Sequence, residues 1–258
     1  MIGAGLGWDL RRQYVESQQF EAQRLQDGAQ LVAQAAVQRL AAASTLLTRL
    51  DTALTNNPVD AQASVTAISA FDAHLLAVLS LDAEGVVQAS SRPELNGLDL
   101  SAAPAVQAAR SDADVQARLH SSAAPSSLPN QARLVVRARR DANRTLIGIS
   151  ALVLAPDWFA PLAEVAGEGV LIRLSDATGA DVYGATLPDE RAALRAVAVV
   201  QSPWVAMDGP WQAGVARSRA DLWARWSRQA RFGLLLWLGV ALVAVCAGVI
   251  ATLRRNEF

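Results

Sequence analysis

The stretch RLVVRARR, residues 133–140, carries the densest candidate chemistry in the chain. Alternation along an extended segment puts Arg133, Arg137 and Arg139 on one face with Val135, and Leu134, Val136 and Ala138 on the other. A guanidinium captures a carboxylate through two parallel N–H···O bonds, which suits an organic acid or an amino acid as ligand. Arg118 and His120, in VQARLH at 115–120, stand beside them if that segment is the neighbouring strand. The other reading of the same residues is a solvated sheet face with arginines along its edge.

Other chemistry is sparse. The two histidines, His74 and His120, are not at a metal-ligand spacing, and His74 reads as a surface or packing residue. GAGLG at 3–7 has no strand before it and no βαβ unit after it, so it is not a dinucleotide fingerprint. No G-x-S-x-G elbow, H-E-x-x-H pair or Walker loop occurs, so the expectation is a chain without catalysis and without a cofactor or metal. The 23 basic residues, all Arg, nearly balance 24 acidic ones, which gives no case for a nucleic-acid surface. Cys246, the single cysteine, falls in an apolar run near the C-terminus. A folded body without thiols fits an extracytoplasmic location.

The elements that must hold these residues follow from period and punctuation. Residues 8–57 contain no Pro and, apart from Gly28, no Gly, and their apolar positions recur at helical spacing, so one long helix is expected. Pro58 ends it, because the residue before a proline avoids helical geometry. A second helix over 60–73 carries Val65, Ile68 and Phe71 on one face. The pattern then turns to period two. LLAVLSL (75–81), the turn DAEG and VVQASS (86–91) read as a hairpin, with Gly85 free to take positive φ. A short helix APAVQAAR, a weak strand at 115–120 and a polar, Pro-containing loop at 121–130 come next. RLVVRARR and TLIGISALVLA (145–155) form a second hairpin around DANR, with Asn143 at the expected left-handed position. DWFAPLAEVAG reads as a helix opened by Asp157. GVLIRLSD, ATGA and DVYGAT repeat the strand, turn, strand unit at 169–186. PDERAALRAV reads as a helix behind Pro188, and further strands fill the stretch to 218.

FGLLLWLGVALVAVCAGVIAT, residues 232–252, has no charge over 21 residues and spans about 31 Å as a helix, a bilayer's hydrocarbon thickness. It is expected to be a transmembrane helix, leaving 253–258 as a short stub, and the helix opened by RADLWARW runs into it without a breaker. Trp204, Trp211, Trp223 and Trp226 gather before it and read as packing residues and interfacial anchors. Residues 1–7 are either an ordinary start or the last turns of a first membrane helix. Arg217, Arg219, Arg225, Arg228 and Arg231 outnumber Arg254 and Arg255 across the span, which taken alone describes a tail-anchored structural or scaffolding protein with a cytoplasmic body and no ligand.

The order and spacing of LAVLSLDAEGVVQASSRPELNGLDLSAAPAVQAAR, RLVVRARRDANRTLIGISALVLAPDWFAPL, VLIRLSDATGADVYG and SPWVAMDGPWQAGVARSRADLWARW resemble the double Cache (tandem PAS-like) sensor domains of bacterial receptors, over about 8–231. The resemblance implies an α+β fold: a long N-terminal helix, a membrane-distal PAS-like module at 58–168, a membrane-proximal one at 169–231, and a single C-terminal transmembrane helix. It further implies a periplasmic body between two spans of the inner membrane, a homodimer through the long helix, and a small-molecule ligand. A cytoplasmic output domain such as a histidine kinase, a diguanylate cyclase or a chemotaxis transducer would follow. It overrides the charge count at the span and adds weight to Arg139. Where many members carry Asp-Arg-x-Tyr-Phe at the start of a helix, this chain has SAAPAV (101–106), so that part of a family-type pocket is in doubt.

Overall fold

In chain order, a long helix, ten strands with short helices among them and a second long helix make up the residues that the computed structural model describes, the backbone of 2–111, 116–120, 128 and 132–255. Side chains at 2–10 and 58, several from 229 onward and all from 248, fall outside that description, as does the expected loop at 121–130 apart from Leu128. Helix α1 (Ile2–Asn56) is followed by α2 (Ala61–Ser69), capped by the Asp60 carboxylate, which accepts from the Ala63 N–H at 3.3 Å. Leu25, Ala29, Val32, Ala36, Leu40, Ala43, Leu47, Leu50 and Leu54 are buried, so α1 presents one continuous apolar stripe. Phe71, expected on α2, lies beyond its end and is exposed, with the Arg49 guanidinium 5.4 Å from its ring.

The first sheet has the order β2-β1-β5-β4-β3-β9. Its strands are β1 (Leu75–Leu81), β2 (Val87–Ser90), β3 (Ala117–Leu119), β4 (Arg133–Arg140), β5 (Leu146–Leu154) and β9 (Val205–Met207). The second has the order β7-β6-β10-β8, from β6 (Leu171–Ser175), β7 (Asp181–Gly184), β8 (Ala193–Val200) and β10 (Trp211–Ser218). All antiparallel hairpins sit where the period-two segments place them, and the architecture is α+β with a long N-terminal helix and two sheets. The sixth strand of the first sheet is a departure. β9 lies between β8 and β10 in sequence, yet it pairs parallel to β3, Arg118 opposite Ala206.

Three local expectations are corrected. The residue with positive φ in the DANR turn is Arg144, at 64°, not Asn143. The Asp141 carboxylate accepts from both Asn143 N–H and Thr145 N–H, which pulls the loop tight and moves the left-handed position one residue on. The expected helix behind Pro188 reduces to a single turn, with Ala192 and Ala193 N–H on Asp189 O, before the valine-rich stretch becomes β8. β-branched side chains favour the pleated surface and override the acidic, alanine-rich start. Helix α4 (Leu162–Ala166) starts after Pro161 rather than at Asp157.

Between β5 and β1 on one side and α3 (Pro104–Ser111) on the other lies an apolar core of Leu79, Leu81, Leu134, Val136, Ile149 and Val106, with seven alanines among its smaller members. The chain divides into two compact units, 26–187 with 196–216, and 1–25 with 188–195 and 217–258. The core belongs to the first. In the second, α5 (Arg219–Arg255) runs as one helix, and Tyr14 of α1 sits edge-on to Trp223 and Trp226, at 5.3 and 5.2 Å. Much of the expected span at 232–252 falls outside the described side chains, and among the described residues no helix is long and apolar enough to cross a membrane.

Candidate functional site

Strand register decides which of the five candidate residues can meet. Residues directly opposite each other in neighbouring strands project to the same side of the sheet. Arg118 is opposite Val136 and Leu119 opposite Val135, so Arg118 and His120 share the side of Leu134, Val136 and Ala138. Arg133, Arg137 and Arg139 project to the other side. The structure therefore splits the five residues two and three across the sheet.

On the side of the three arginines, α1 closes over the sheet. The Arg137 Nε lies 3.3 Å from Asp51 Oδ2, and its Nη1 donates to Thr48 Oγ1. Ser150, opposite Arg137 on β5, donates its hydroxyl to the other Asp51 oxygen. Arg139 donates to Ser80 Oγ and Leu81 O, at 3.2 and 3.4 Å. Its cross-strand partner is Gly148, where a Cβ would fall on the guanidinium, so the missing side chain makes room for it. Burial pushes the Asp51 carboxyl up to about 6, against the Ser150 hydrogen bond and the charges of Arg137 and Arg139. Burial likewise lowers Arg139 from its ordinary value, with Asp51 opposing. This is an internal polar pin between helix and sheet, in which the chain's own carboxylate occupies the arginines.

Arg133, at the other end of β4, donates to Asp181 O at 3.2 Å and lies 6.0 Å from the ring of the fully buried Trp211. Burial lowers it too, and Asp176 and Asp208 counteract that. Arg133 thus joins the first sheet to strands of the second.

On the opposite side the geometry differs. His120 Nδ1 lies 3.6 Å from Asp208 Oδ2, just past β9, and Arg118 stands half-buried one alternation earlier on β3. Gln116 donates to Pro203 O at 2.8 Å, so β9 is held at both ends against β3. Beside this charged margin the same face continues as the apolar floor of Val136, Ala138, Ile149, Ala151 and Leu81, roofed by Val106 and Ala109 of α3. A cation, an imidazole and a carboxylate thus stand at the margin of a fully packed apolar core.

Solved structures share this architecture. An extracellular ligand binding receptor from Desulfohalobium retbaense aligns with a TM-score of 0.61 at 11% identity, over 74% of this chain and 39% of that one. The chain thus spans about two fifths of that receptor's length. The ligand-binding domain of Pseudomonas fluorescens chemoreceptor CtaA, in complex with L-isoleucine, aligns at 0.58 and 13% identity, over 83% of this chain and 98% of that one. The sensory domain of Campylobacter jejuni chemoreceptor Tlp3 gives 0.59 and 10%, over 80% and 97%. The fold is that of a dCache-like extracellular sensor domain. At these identities the likeness is one of fold. No family model matches the chain, and no curated protein matches it in sequence.

Two residues of this dCache-like frame escape a reading of the sequence. Asp208 sits in a D-G turn signal and looks like loop punctuation until β9 is placed beside β3. Asp51 sits on a helix rich in polar residues, and only the packing of α1 on β4 and β5 marks it as the partner of Arg137. Helical spacing places Asp51 next to the buried stripe through Leu47, Leu50 and Leu54, the one available signal.

Proposed function

We propose that this chain is the extracytoplasmic sensory part of a bacterial membrane receptor, and that it takes a small carboxylate or amino acid against Arg118 and His120. The observation that carries this reading is the charged margin of Arg118, His120 and Asp208 beside an apolar floor, in a fold shared with receptor domains solved with L-isoleucine and L-norvaline. An aliphatic amino acid needs a cation for its carboxylate and an anion for its ammonium, and both lie on one face here, at the margin of the apolar core. Arg133, Arg137 and Arg139 support the sheet from behind. The uncharged run at 232–252 crosses the inner membrane, keeps 8–231 periplasmic and carries the signal to an output domain of histidine kinase, diguanylate cyclase or chemotaxis type.

The test is thermal unfolding of the full chain in detergent against a panel of aliphatic amino acids and short carboxylates. A saturable rise in Tm is expected with at least one of them. Arg118→Ala should weaken that ligand about tenfold or more, the worth of a lost charged hydrogen bond. Arg137→Ala should lower the basal Tm and leave the affinity alone. A flat response across the panel, or equal affinity in Arg118→Ala, removes the reading.

Dimerisation through α1 is part of the same proposal. Leu31, Gln38, Thr45 and Thr52 recur every seven residues on its exposed side. Thr45 and Thr52 turn their hydroxyls to Ala41 O and Thr48 O, both at 2.9 Å, which leaves their methyl groups outward. Sedimentation should show a dimer for the native chain and a monomer for Thr45→Arg; a native chain that stays monomeric at high concentration refutes it.

A further inference from the structure

Every sheet ends in two edge strands, and each unpaired edge is a row of backbone donors and acceptors that invites another strand. Three of the four edges here are guarded. β2 has four residues, with an irregular register against β1 between Ser80 and Leu81. β9 has three residues. β7 has four, a register shift against β6, and ends on Gly184 with φ at 93°. β8 is the exception: eight residues, no proline, and Val197 and Val199 exposed by 44% and 64%. Among the described residues no strand pairs with its outer side.

A groove of about 690 Å³ lies along that edge. Successive residues Val197, Ala198 and Val199 all line it, so β8 offers its edge there and not just one face. The opposite wall is α1, through Gln26, Gln30 and Gln34, and every lining residue is uncharged. Residues four apart on a helix rise about 6 Å, and two residues of an extended strand advance about 6.6 Å. The glutamines therefore keep step with every second residue of a strand laid between the walls, and a primary amide both donates to and accepts from a peptide backbone.

We propose that the groove between α1 and β8 is a docking site for an extended, uncharged segment of a partner polypeptide, added as a fifth strand of the second sheet. A second copy of this chain does not fit that place. Its own β8 edge is walled by its own α1, so pairing two such edges would drive two helices into one space. The seven-residue stripe through Leu31 and Thr45 also points about a quarter-turn away round the helix. The proposal is independent of the ligand site on the first sheet.

The experiment is hydrogen–deuterium exchange on the full chain in detergent, with a capped Thr-Val-Thr-Val-Thr-Val-Thr peptide at millimolar concentration as probe. The expected result is several-fold slower exchange over 195–201 and none over 181–184, lost when alternate peptide amides of the probe are N-methylated. Of Ala198→Pro and Val199→Pro, the one that removes an outward N–H should abolish the protection, and Gln30→Ala should weaken it. Should that variant fail to fold, the methylated probe still decides. No protection, equal protection by the methylated probe, or concentration-dependent protection without any peptide (the sign of a second copy) overturns the proposal.

Discussion

Replacing Glu21 with alanine lowers the unfolding free energy by about 2–3 kcal/mol, the worth of a charged hydrogen bond taken from a buried guanidinium. Arg217, at the end of β10, keeps only 6% of its side chain exposed, and its Nη1 donates to Glu21 Oε2 at 3.0 Å. Both residues belong to the unit that also holds Tyr14, Trp223 and Trp226, where α5 leaves the last strand. Surface pairs such as Arg12 with Glu16 are worth far less, because water screens both ends. Denaturant unfolding of the full chain, followed by tryptophan fluorescence, measures the loss. Glu21→Gln keeps an acceptor and should lose less. Glu21→Met with Arg217→Met, which removes both charges, should recover much of the stability, since an apolar pair of similar volume costs little there. If the single alanine variant unfolds like the native chain, the pair does not hold this unit together.

The local code of this fold is written plainly in the residues, and the long-range code is not. In D-A-E-G the Asp82 carboxylate accepts from Gly85 and Val86 N–H, and in D-A-T-G Asp176 does the same for Thr178 and Ala180 N–H. These turns need only neighbours in sequence, so spacing alone finds them. PDERAALRAVAVV shows where local signals compete. Its first half favours helix by composition and its second half favours strand by β-branching, and pairing of the valines beside β10 settles it for the strand. The candidate site was legible as residue types and as alternation within β4, but not as an arrangement. Which face Arg118 shares depends on its register with Val136, and nothing in VQARLH fixes that register. Asp51 and Asp208 come to Arg137 and His120 from far along the chain, through packing that no short window records.

The stability of the native chain should rise as the pH falls from about 7.5 to 5, through Asp51. Its carboxyl ordinarily titrates at 3.8 and is pushed up to about 6 by burial between α1 and the sheet. The folded state therefore takes up a proton before the unfolded state does, which adds stability across that interval and stops adding below the ordinary value. The full span is worth up to about 3 kcal/mol. The groups facing the carboxyl are Arg137 and Arg139 from β4, Ser150 from β5 and Thr48 from α1 through Arg137. The arginines stay charged throughout this range and the hydroxyls do not titrate, so the slope belongs to Asp51. Denaturant midpoints of the native chain and of Asp51→Asn, taken across the same pH range, isolate it: the native curve should climb toward acid relative to the variant. Parallel curves would mean that the carboxylate is held charged by Arg137 as firmly as water holds it. The pin between helix and sheet would then be an ordinary ion pair, indifferent to pH in this range.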